Sequence, residues 1–388
     1  MYIEVAMRKV YISGIGQVPV SENWEKSLKE LAGDAALLAM QDADIGYPDA
    51  LYVGNMMAIT ANKQAQLGTM MSDWLGFHHK SGLAVEAACG SGAAAFRAGL
   101  IAIASGEIDS ALVVGVEKMT DSPGSEITSS LTTAADAELE SDFGLSFVAL
   151  NALIMQRYMF EYGWHHPDFA DFSLNAHANA AHNPFARFQK AISRKTFLEA
   201  PMVADPINLM DASPIGDGAA AIVLTSQPLA HNHPQVFVAA SSSCTDTLSV
   251  QTRKTPIFLT AAANSAKQAY AQAGIGPQDI GVFEYHDAFS IMAVLSLEAC
   301  GFAKPGQGPR LALDGKIKFD SDIPVATMGG LKARGHPVGA TGVYQLLEVT
   351  QQLRGIAGAT QVKRTKFGLA QNIGGSGSNI TTHILQRE

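Results

Sequence analysis

Residues 111–116 (Ala-Leu-Val-Val-Gly-Val) are apolar at every position. A strand with one wet face alternates apolar and polar residues. A strand without alternation is covered on both faces, as in sheets flanked by helices. The flanking sequence fits that reading. Residues 9–14 read as a first strand, 27–40 as an amphipathic helix and 49–54 as a short strand entering a loop. Residues 83–87 read as a strand and 93–105 as a helix. Strand and helix patterns alternate, so an α/β fold is expected, with helices over a mostly parallel sheet. After a linker at 225–234 the pattern recurs in outline. It gives a strand at 236–241, a helix at 260–273, a strand at 281–286, a helix at 344–353 and closing strands at 367–372 and 380–385. Two similar α/β halves are therefore expected, 1–230 and 231–388. A chain of 388 residues, 47% hydrophobic, has the material for a large core and is too long for one ordinary domain.

The texture changes near Glu117. Residues 121–142 are rich in Ser, Thr, Asp and Glu, and helical patterns follow at 147–162 and 167–179. The reading is an insertion over about 117–206 in the first half, where functional loops often sit. It ends in a basic stretch with Arg187, Lys190, Arg194 and Lys195, which is either a solvated face or an anion site. Residues 216–224 then return to a buried strand.

The net charge of -9 and the lack of a long Lys/Arg run argue against nucleic acid as a partner. Three scattered cysteines are too few for a disulfide framework or a zinc site, and they fit a reducing compartment. Residues 1–10 do not read as a secretory signal, and no uninterrupted apolar run is long enough to span a bilayer. The expectation is a soluble cytoplasmic protein with no metal.

Four segments carry chemistry. In Val85-Glu86-Ala87-Ala88-Cys89-Gly90-Ser91-Gly92, an apolar strand ends at a thiol and small residues open a helix. A thiol there feels the positive end of the helix dipole, which favours the thiolate, and the following amides could hold an oxyanion. The layout is a nucleophile elbow with sulfur in place of oxygen. The plainer alternative is a buried, inert cysteine. In Gly329-Gly330-Leu331-Lys332-Ala333-Arg334-Gly335-His336-Pro337-Val338-Gly339-Ala340-Thr341-Gly342, a histidine stands between glycines that let the backbone turn sharply. Histidine is the usual partner of a nucleophilic cysteine. A structural turn with an incidental histidine is the alternative. His286, in Glu284-Tyr285-His286-Asp287-Ala288-Phe289, ends a strand, where active-site residues of open α/β sheets collect. Asp287 could orient a polar group or cap the next helix. Asn372-Ile373-Gly374-Gly375-Ser376-Gly377 ends another strand as an oxyanion cradle or a tight turn.

With these four segments in this order, the chain resembles the thiolase superfamily over its whole length. It is most similar to archaeal-type acetoacetyl-CoA thiolases and sterol-carrier-protein-type thiolases. The resemblance implies two βαβαβαββ halves in a five-layer α-β-α-β-α arrangement, with an inserted loop domain that covers coenzyme A. It implies Cys89 as acyl-accepting nucleophile and His336 as its activating base. His286 would stand where many thiolases carry an asparagine that holds an oxyanion-hole water. The amides of Cys89 and Gly374 would form a second oxyanion hole. Ser213 matches a family serine that contacts the pantetheine arm, and Arg187, Lys190, Arg194 and Lys195 are candidates for coenzyme A phosphates on charge alone. No cofactor is implied beyond coenzyme A thioesters as substrates.

The pattern breaks in one place. Many thiolases carry a second cysteine in the terminal glycine loop, where this chain has Asn372. Sterol-carrier types move it to the position of Ala288. Neither site has a thiol here, and Cys244 and Cys300 match no catalytic position. Archaeal-type thiolases share the absence. The implied activity is therefore an acetyl-CoA C-acyltransferase that forms or cleaves acetoacetyl-CoA or another 3-oxoacyl-CoA through an acyl-cysteine. The alternatives are a retro-aldolase on the same fold, kept open by Tyr344, and a non-catalytic acyl-CoA-binding scaffold. The resemblance also implies a homodimer or dimer of dimers. Its implied partners are a hydroxymethylglutaryl-CoA synthase and a small zinc-ribbon/OB-fold acyl-CoA-binding protein.

Overall fold

The structure is a computed structural model that describes residues 8–230, 232–363 and 365–388. The first half runs β1 (Tyr11–Gln17), α1 (Leu28–Ala43), β2 (Ala50–Gly54), α2 (Ala58–Ala61), α3 (Leu67–Trp74), β3 (Ser81–Val85), α4 (Ser91–Ser105) and β4 (Ser110–Glu117). The inserted segment follows, with α5 (Gly124–Thr132), α6 (Phe147–Tyr162), α7 (Ala170–Ala180), α8 (Arg194–Leu198), β5 (Met202–Ala204) and β6 (Ile207–Asn208). The chain then returns to the sheet as β7 (Gly218–Thr225). The second half runs β8 (Val236–Thr245), α9 (Thr260–Ala273), β9 (Ile280–Glu284), α10 (Ser290–Ala299), α11 (Gly308–Leu313), α12 (Thr341–Arg354), β10 (Phe367–Gly374) and β11 (Asn379–Arg387).

The strands lie in the order β3-β2-β4-β7-β1-β8-β11-β10-β9. Read outward from the middle, one half is β1, β7, β4, β2, β3 and the other is β8, β11, β10, β9. Where the second half would have its outer strand, Val325 bridges Phe283 in parallel. The halves meet where Tyr11 of β1 opposes Phe237 of β8, and the Val238 amide donates to the Val10 carbonyl at 3.0 Å.

The mostly parallel sheet expected from the sequence is corrected to a mixed one. β2–β3, β2–β4 and β9–β10 are parallel, whereas β1–β7, β4–β7, β1–β8, β8–β11 and β10–β11 are antiparallel. Parallel pairing needs a crossover to the far end of the sheet. The inserted segment leaves β4 and re-enters as β7 at the same end, and β10 turns directly into β11, so both pairs close as antiparallel neighbours.

Helices sort the two faces. α1 packs on β1, β4 and β7, and α9 on β8 and β11. α4 and α12 pack against each other and against strands of both halves, which makes the central layer. The sequence of β4 follows from this position. Ala111 and Val113 join the core shared with α4 and α12, while Leu112, Val114 and Val116 join the one shared with α1. The same burial accounts for one long stretch of high mean hydropathy. Ala88–Ser105 has the length and mean hydropathy (1.3) of a membrane span. Most of it is buried instead, because α4 packs against α12 and against strands of both halves of the sheet.

The central helices also bring distant segments together. A Cβ on Gly92, in the first turn of α4, would lie 2.7 Å from the Gly339 carbonyl oxygen. One on Gly342, in the first turn of α12, would lie 2.4 Å from the Ala93 amide nitrogen. The two N-termini therefore touch backbone to backbone, and only glycine permits it. This contact places the Cys89 elbow against the His336 loop.

Candidate active site

The cysteine elbow is tightly tied. Ala88 holds a left-handed φ of 53°, which is strained for a residue with a Cβ and turns the chain sharply at the end of the strand. Ser91 Oγ accepts from the Ala87 amide at 2.9 Å and donates to the Ala88 carbonyl at 2.6 Å. Two further turns, Gly90 amide to Ala87 carbonyl and Ser91 amide to Ala88 carbonyl, lead into α4. Cys89 is left half-buried at the wall of a cavity of about 220 Å³. His286, His336, Ser213, Ala288 and Gly375 line the same cavity, with apolar walls from Met119, Leu131, Phe147, Phe289, Met292 and Ile373.

Hydrogen bonds give the two histidines opposite tautomers. His336 Nδ1 lies 2.7 Å from Thr341 Oγ1, whose own hydrogen is directed to the Pro337 carbonyl at 3.3 Å. The hydroxyl therefore accepts from Nδ1–H, and Nε2 keeps a free lone pair. His286 Nδ1 faces two donors, Asn372 Nδ2 at 3.1 Å and the Ile373 amide at 3.4 Å. Nδ1 must then be the acceptor, and Nε2 carries the hydrogen. The rings meet edge to face, with centroids 5.1 Å apart. Burial keeps both neutral. It holds His286 down at about 3, with Arg334 adding to the effect. His336 lies well below its ordinary value through burial, then the neighbouring His286, then Arg334. The site thus offers one neutral base and one neutral donor.

The thiolate expected from the helix dipole is corrected. Burial pushes the Cys89 thiol up to about 12 and the Glu117 charge adds to this, against the amides of Gly375 and Cys89 itself. The resting sulfur is therefore a thiol, and it needs a base at the moment of attack.

Glu117, the last residue of β4, is a functional candidate that the sequence reading passed over. Its carboxylate accepts from Asn55 Nδ2 at 2.8 Å, from the Met56 and Met57 amides at 3.0 Å each, and from the Gly339 amide at 2.9 Å. It pins the His336 loop to the loop after β2. Burial raises its carboxyl to about 7 against these four hydrogen bonds. The available signal was a lone carboxylate ending an otherwise apolar strand. Asn372, noted in the sequence as a missing thiol, proves to hold the His286 tautomer.

The other sequence candidates divide. Ser213 lines the cavity, and its loop is stitched to the His286 segment by the Ser213 amide to the Ala288 carbonyl at 2.8 Å. Gly374 stands behind the wall, where a Cβ would lie 2.5 Å from the Ala87 carbonyl oxygen. The amide that faces the sulfur belongs to Gly375, one residue on. Asp287 orients the backbone, accepting the Leu331 amide at 2.7 Å. Arg187, Lys190, Arg194 and Lys195 do not line the cavity. Arg187 passes close to Gly335 and pairs with Glu22 at 2.6 Å. Arg194 pairs with Asp171 at 2.6 Å, Lys195 with Glu199 at 3.8 Å, and Lys190 is exposed. Tyr344 points away from the cavity and donates to the Val18 carbonyl at 2.7 Å.

A duplicated α/β fold with a cysteine and two neutral histidines in one cavity defines a cysteine–histidine group-transfer enzyme. Comparison with known proteins narrows the class. Residues 10–228 match the thiolase N-terminal domain and residues 242–387 the thiolase C-terminal domain-like family. The chain belongs to the thiolase family. It is 40% identical over 385 residues to an acetyl-CoA acetyltransferase of Methanothermobacter thermautotrophicus, covering 98% of this chain and 100% of the relative. Among solved structures, it superposes on the Ltp2–ChsH2(DUF35) aldolase with a TM-score of 0.86 at 22% identity, over 99% of each chain. It also superposes on an acetyl-CoA acetyltransferase from Syntrophomonas wolfei with a TM-score of 0.74 at 18% identity, over 98% of this chain and 100% of that one.

Proposed function

We propose that this protein is an acetyl-CoA C-acetyltransferase that joins two acetyl-CoA molecules into acetoacetyl-CoA, or cleaves a 3-oxoacyl-CoA in reverse. The observation that carries the reading is the pairing, in Cys89's own cavity, of a histidine with a free Nε2 lone pair and one with a free Nε2–H. The 40% identical acetyl-CoA acetyltransferase supports it.

The geometry suggests the following sequence. Cys89 gives its proton to His336 Nε2 as the sulfur attacks the acetyl carbonyl carbon. The amides of Cys89 and Gly375 hold the tetrahedral oxyanion. The C–S bond to coenzyme A breaks, and the departing thiolate takes the proton from His336. A second acetyl-CoA binds with its thioester oxygen accepting from His286 Nε2–H, which lowers the cost of the enolate. His336, neutral again, takes the α-proton. The enolate carbon attacks the acyl-cysteine, and Cys89 leaves as a thiolate that recovers this proton. One histidine thus serves where a second cysteine serves in other thiolases, and His286 and Asn372 supply the polarisation. The Ser213 loop would hold the pantetheine arm, and the 117–206 insertion would cover it. Coenzyme A itself is the substrate carrier, and no further cofactor enters the scheme.

The test is turnover of acetoacetyl-CoA plus coenzyme A to acetyl-CoA. Cleavage is expected to be the faster direction, since condensation is uphill. A purified protein that binds both substrates and turns over neither direction contradicts the reading. A retro-aldolase role is not favoured, because the Tyr344 hydroxyl that kept it open is spent on the Val18 carbonyl.

The first-half sheet ends in β3, an edge strand with Leu83 53% exposed and no charged side chain to guard it. Such an edge invites pairing with another copy. We propose a dimer built on this edge. Sedimentation is expected to show a dimer that Leu83→Lys weakens, and a monomeric wild type contradicts it. The DUF35 protein in the aldolase's name supports the expectation of a small partner protein for this chain.

A further inference from the structure

The two strands that deliver His286 and Asn372 stop pairing just before those residues. β9 and β10 run in parallel register from Ile280 opposite Phe367 to Glu284 opposite Ala370, and the ladder ends there. Tyr285 and His286 on one side, and Gln371 and Asn372 on the other, continue without it. Yet the contact across this gap, His286 Nδ1 to Asn372 Nδ2 at 3.1 Å, helps to fix the His286 tautomer. A hydrogen bond between two segments that have left their ladder needs something else to hold their separation.

Gln345 of α12 occupies that place. Its Nε2 lies 2.8 Å from the Tyr285 carbonyl oxygen, 3.1 Å from that of Gln371 and 3.3 Å from that of Glu284. Carbonyls only accept, so the amide nitrogen must face them, and its two hydrogens reach one carbonyl on each strand. The Gln345 side chain is fully buried, and its Oε1 has no hydrogen-bond partner among the described residues. A buried amide with an unused acceptor is costly, and an apolar side chain would fill the same space without that penalty. Thr341, which accepts from His336 Nδ1 at 2.7 Å, lies four residues earlier, on the same face of the helix. One face of α12 thus serves both histidines, His336 directly and His286 through the backbone before it.

We propose that Gln345 is a positioning residue for the carbon–carbon step: its amide spans the gap where the β9–β10 ladder ends and holds His286 against Asn372 for polarising the second thioester. The proposal deepens the acyl-transfer reading above and rests on it. Its reach is selective. In that scheme, acylation of Cys89 and its reversal use the sulfur, His336 and the amides of Cys89 and Gly375. His286 enters only when the enolate forms. The hydrogen bonds of Gln345 run to the His286 and Asn372 strands and to none of the first group.

The test separates the two half-reactions in Gln345→Met, which keeps an unbranched, adaptable side chain and removes both donors. Exchange of isotopically labelled coenzyme A into acetyl-CoA reports acylation alone. Cleavage of acetoacetyl-CoA adds the carbon–carbon step. Exchange should stay near the wild-type rate. The kcat for cleavage should fall roughly 10- to 100-fold with KM little changed, as expected for a displacement of up to about 1 Å. Asn372→Ala supplies a second arm. Because both residues act through His286, the double variant Gln345→Met/Asn372→Ala should cleave little more slowly than Asn372→Ala alone. Equal losses in exchange and cleavage, additive losses in the double variant, or wild-type cleavage by Gln345→Met would each overturn the proposal. If thermal melting shows Gln345→Met unfolded, Gln345→Leu takes its place, and failure of both to fold assigns Gln345 to folding alone and overturns the proposal too. A wild type that neither exchanges nor cleaves defeats the acyl-transfer reading itself, which the wild-type assays show before any variant is compared.

Discussion

Cys89→Ala is expected to reduce acetoacetyl-CoA cleavage by at least about 10⁴-fold, in line with loss of the nucleophile in other covalent enzymes. The substrate should still bind. Cys89 lies at the wall of the cavity, and the apolar surfaces from Phe147, Phe289 and Met292 do not depend on it. The loss should therefore appear in kcat with the binding constant for coenzyme A thioesters nearly unchanged. Folding should also be spared. The elbow is held by Ser91 Oγ, by the Gly90 and Ser91 turns and by the contact of Gly92 with Gly339, none of which uses the sulfur. Steady-state kinetics with parallel binding isotherms check this. Substantial turnover by Cys89→Ala would point to chemistry that needs no acyl-cysteine.

Glu117→Gln is expected to be the most damaging change outside the cavity. The carboxylate offers two oxygens to four donors: Oε1 takes Asn55 Nδ2 and the Met57 amide, and Oε2 takes the Met56 and Gly339 amides. A glutamine has one oxygen, so its NH₂ group must face two of those donors. Two buried N–H groups left without acceptors cost roughly 2–6 kcal/mol. The damage should reach the chemistry, because Gly339 belongs to the loop that carries His336. A shift of about 1 Å there lowers kcat on the order of 10²-fold. Thermal unfolding and kcat should fall together while substrate affinity changes little. A variant as stable and active as wild type would remove Glu117 from the account.

Much of this was legible in the sequence, and the gaps have physical causes. Helices 147–162 and 260–273 match α6 and α9 because a Ser146 cap and the left-handed Gly163 and Gly274 bound them. Cys89, His286 and His336 stood out because small residues and strand ends surround them, and all three share one cavity. α10 escaped notice because all ten of its residues are buried, so it has no polar face and no period to read. The mixed sheet was hidden because strand direction depends on where a long insertion re-enters, which local patterning does not record. Glu117 was invisible as a site element because charge in a sequence reads as exposure, and the partners that allow its burial come from distant segments. The resting thiol was missed because a helix dipole is a local feature, whereas the burial that opposes it depends on the assembled fold.

The central claim is that Cys89 accepts the acyl group. The most direct test is intact-protein mass after brief incubation with acetyl-CoA, on wild type and Cys89→Ala. The predicted result is one added acetyl group on wild type and none on the variant. No adduct on a wild type shown independently to bind acetyl-CoA would contradict it.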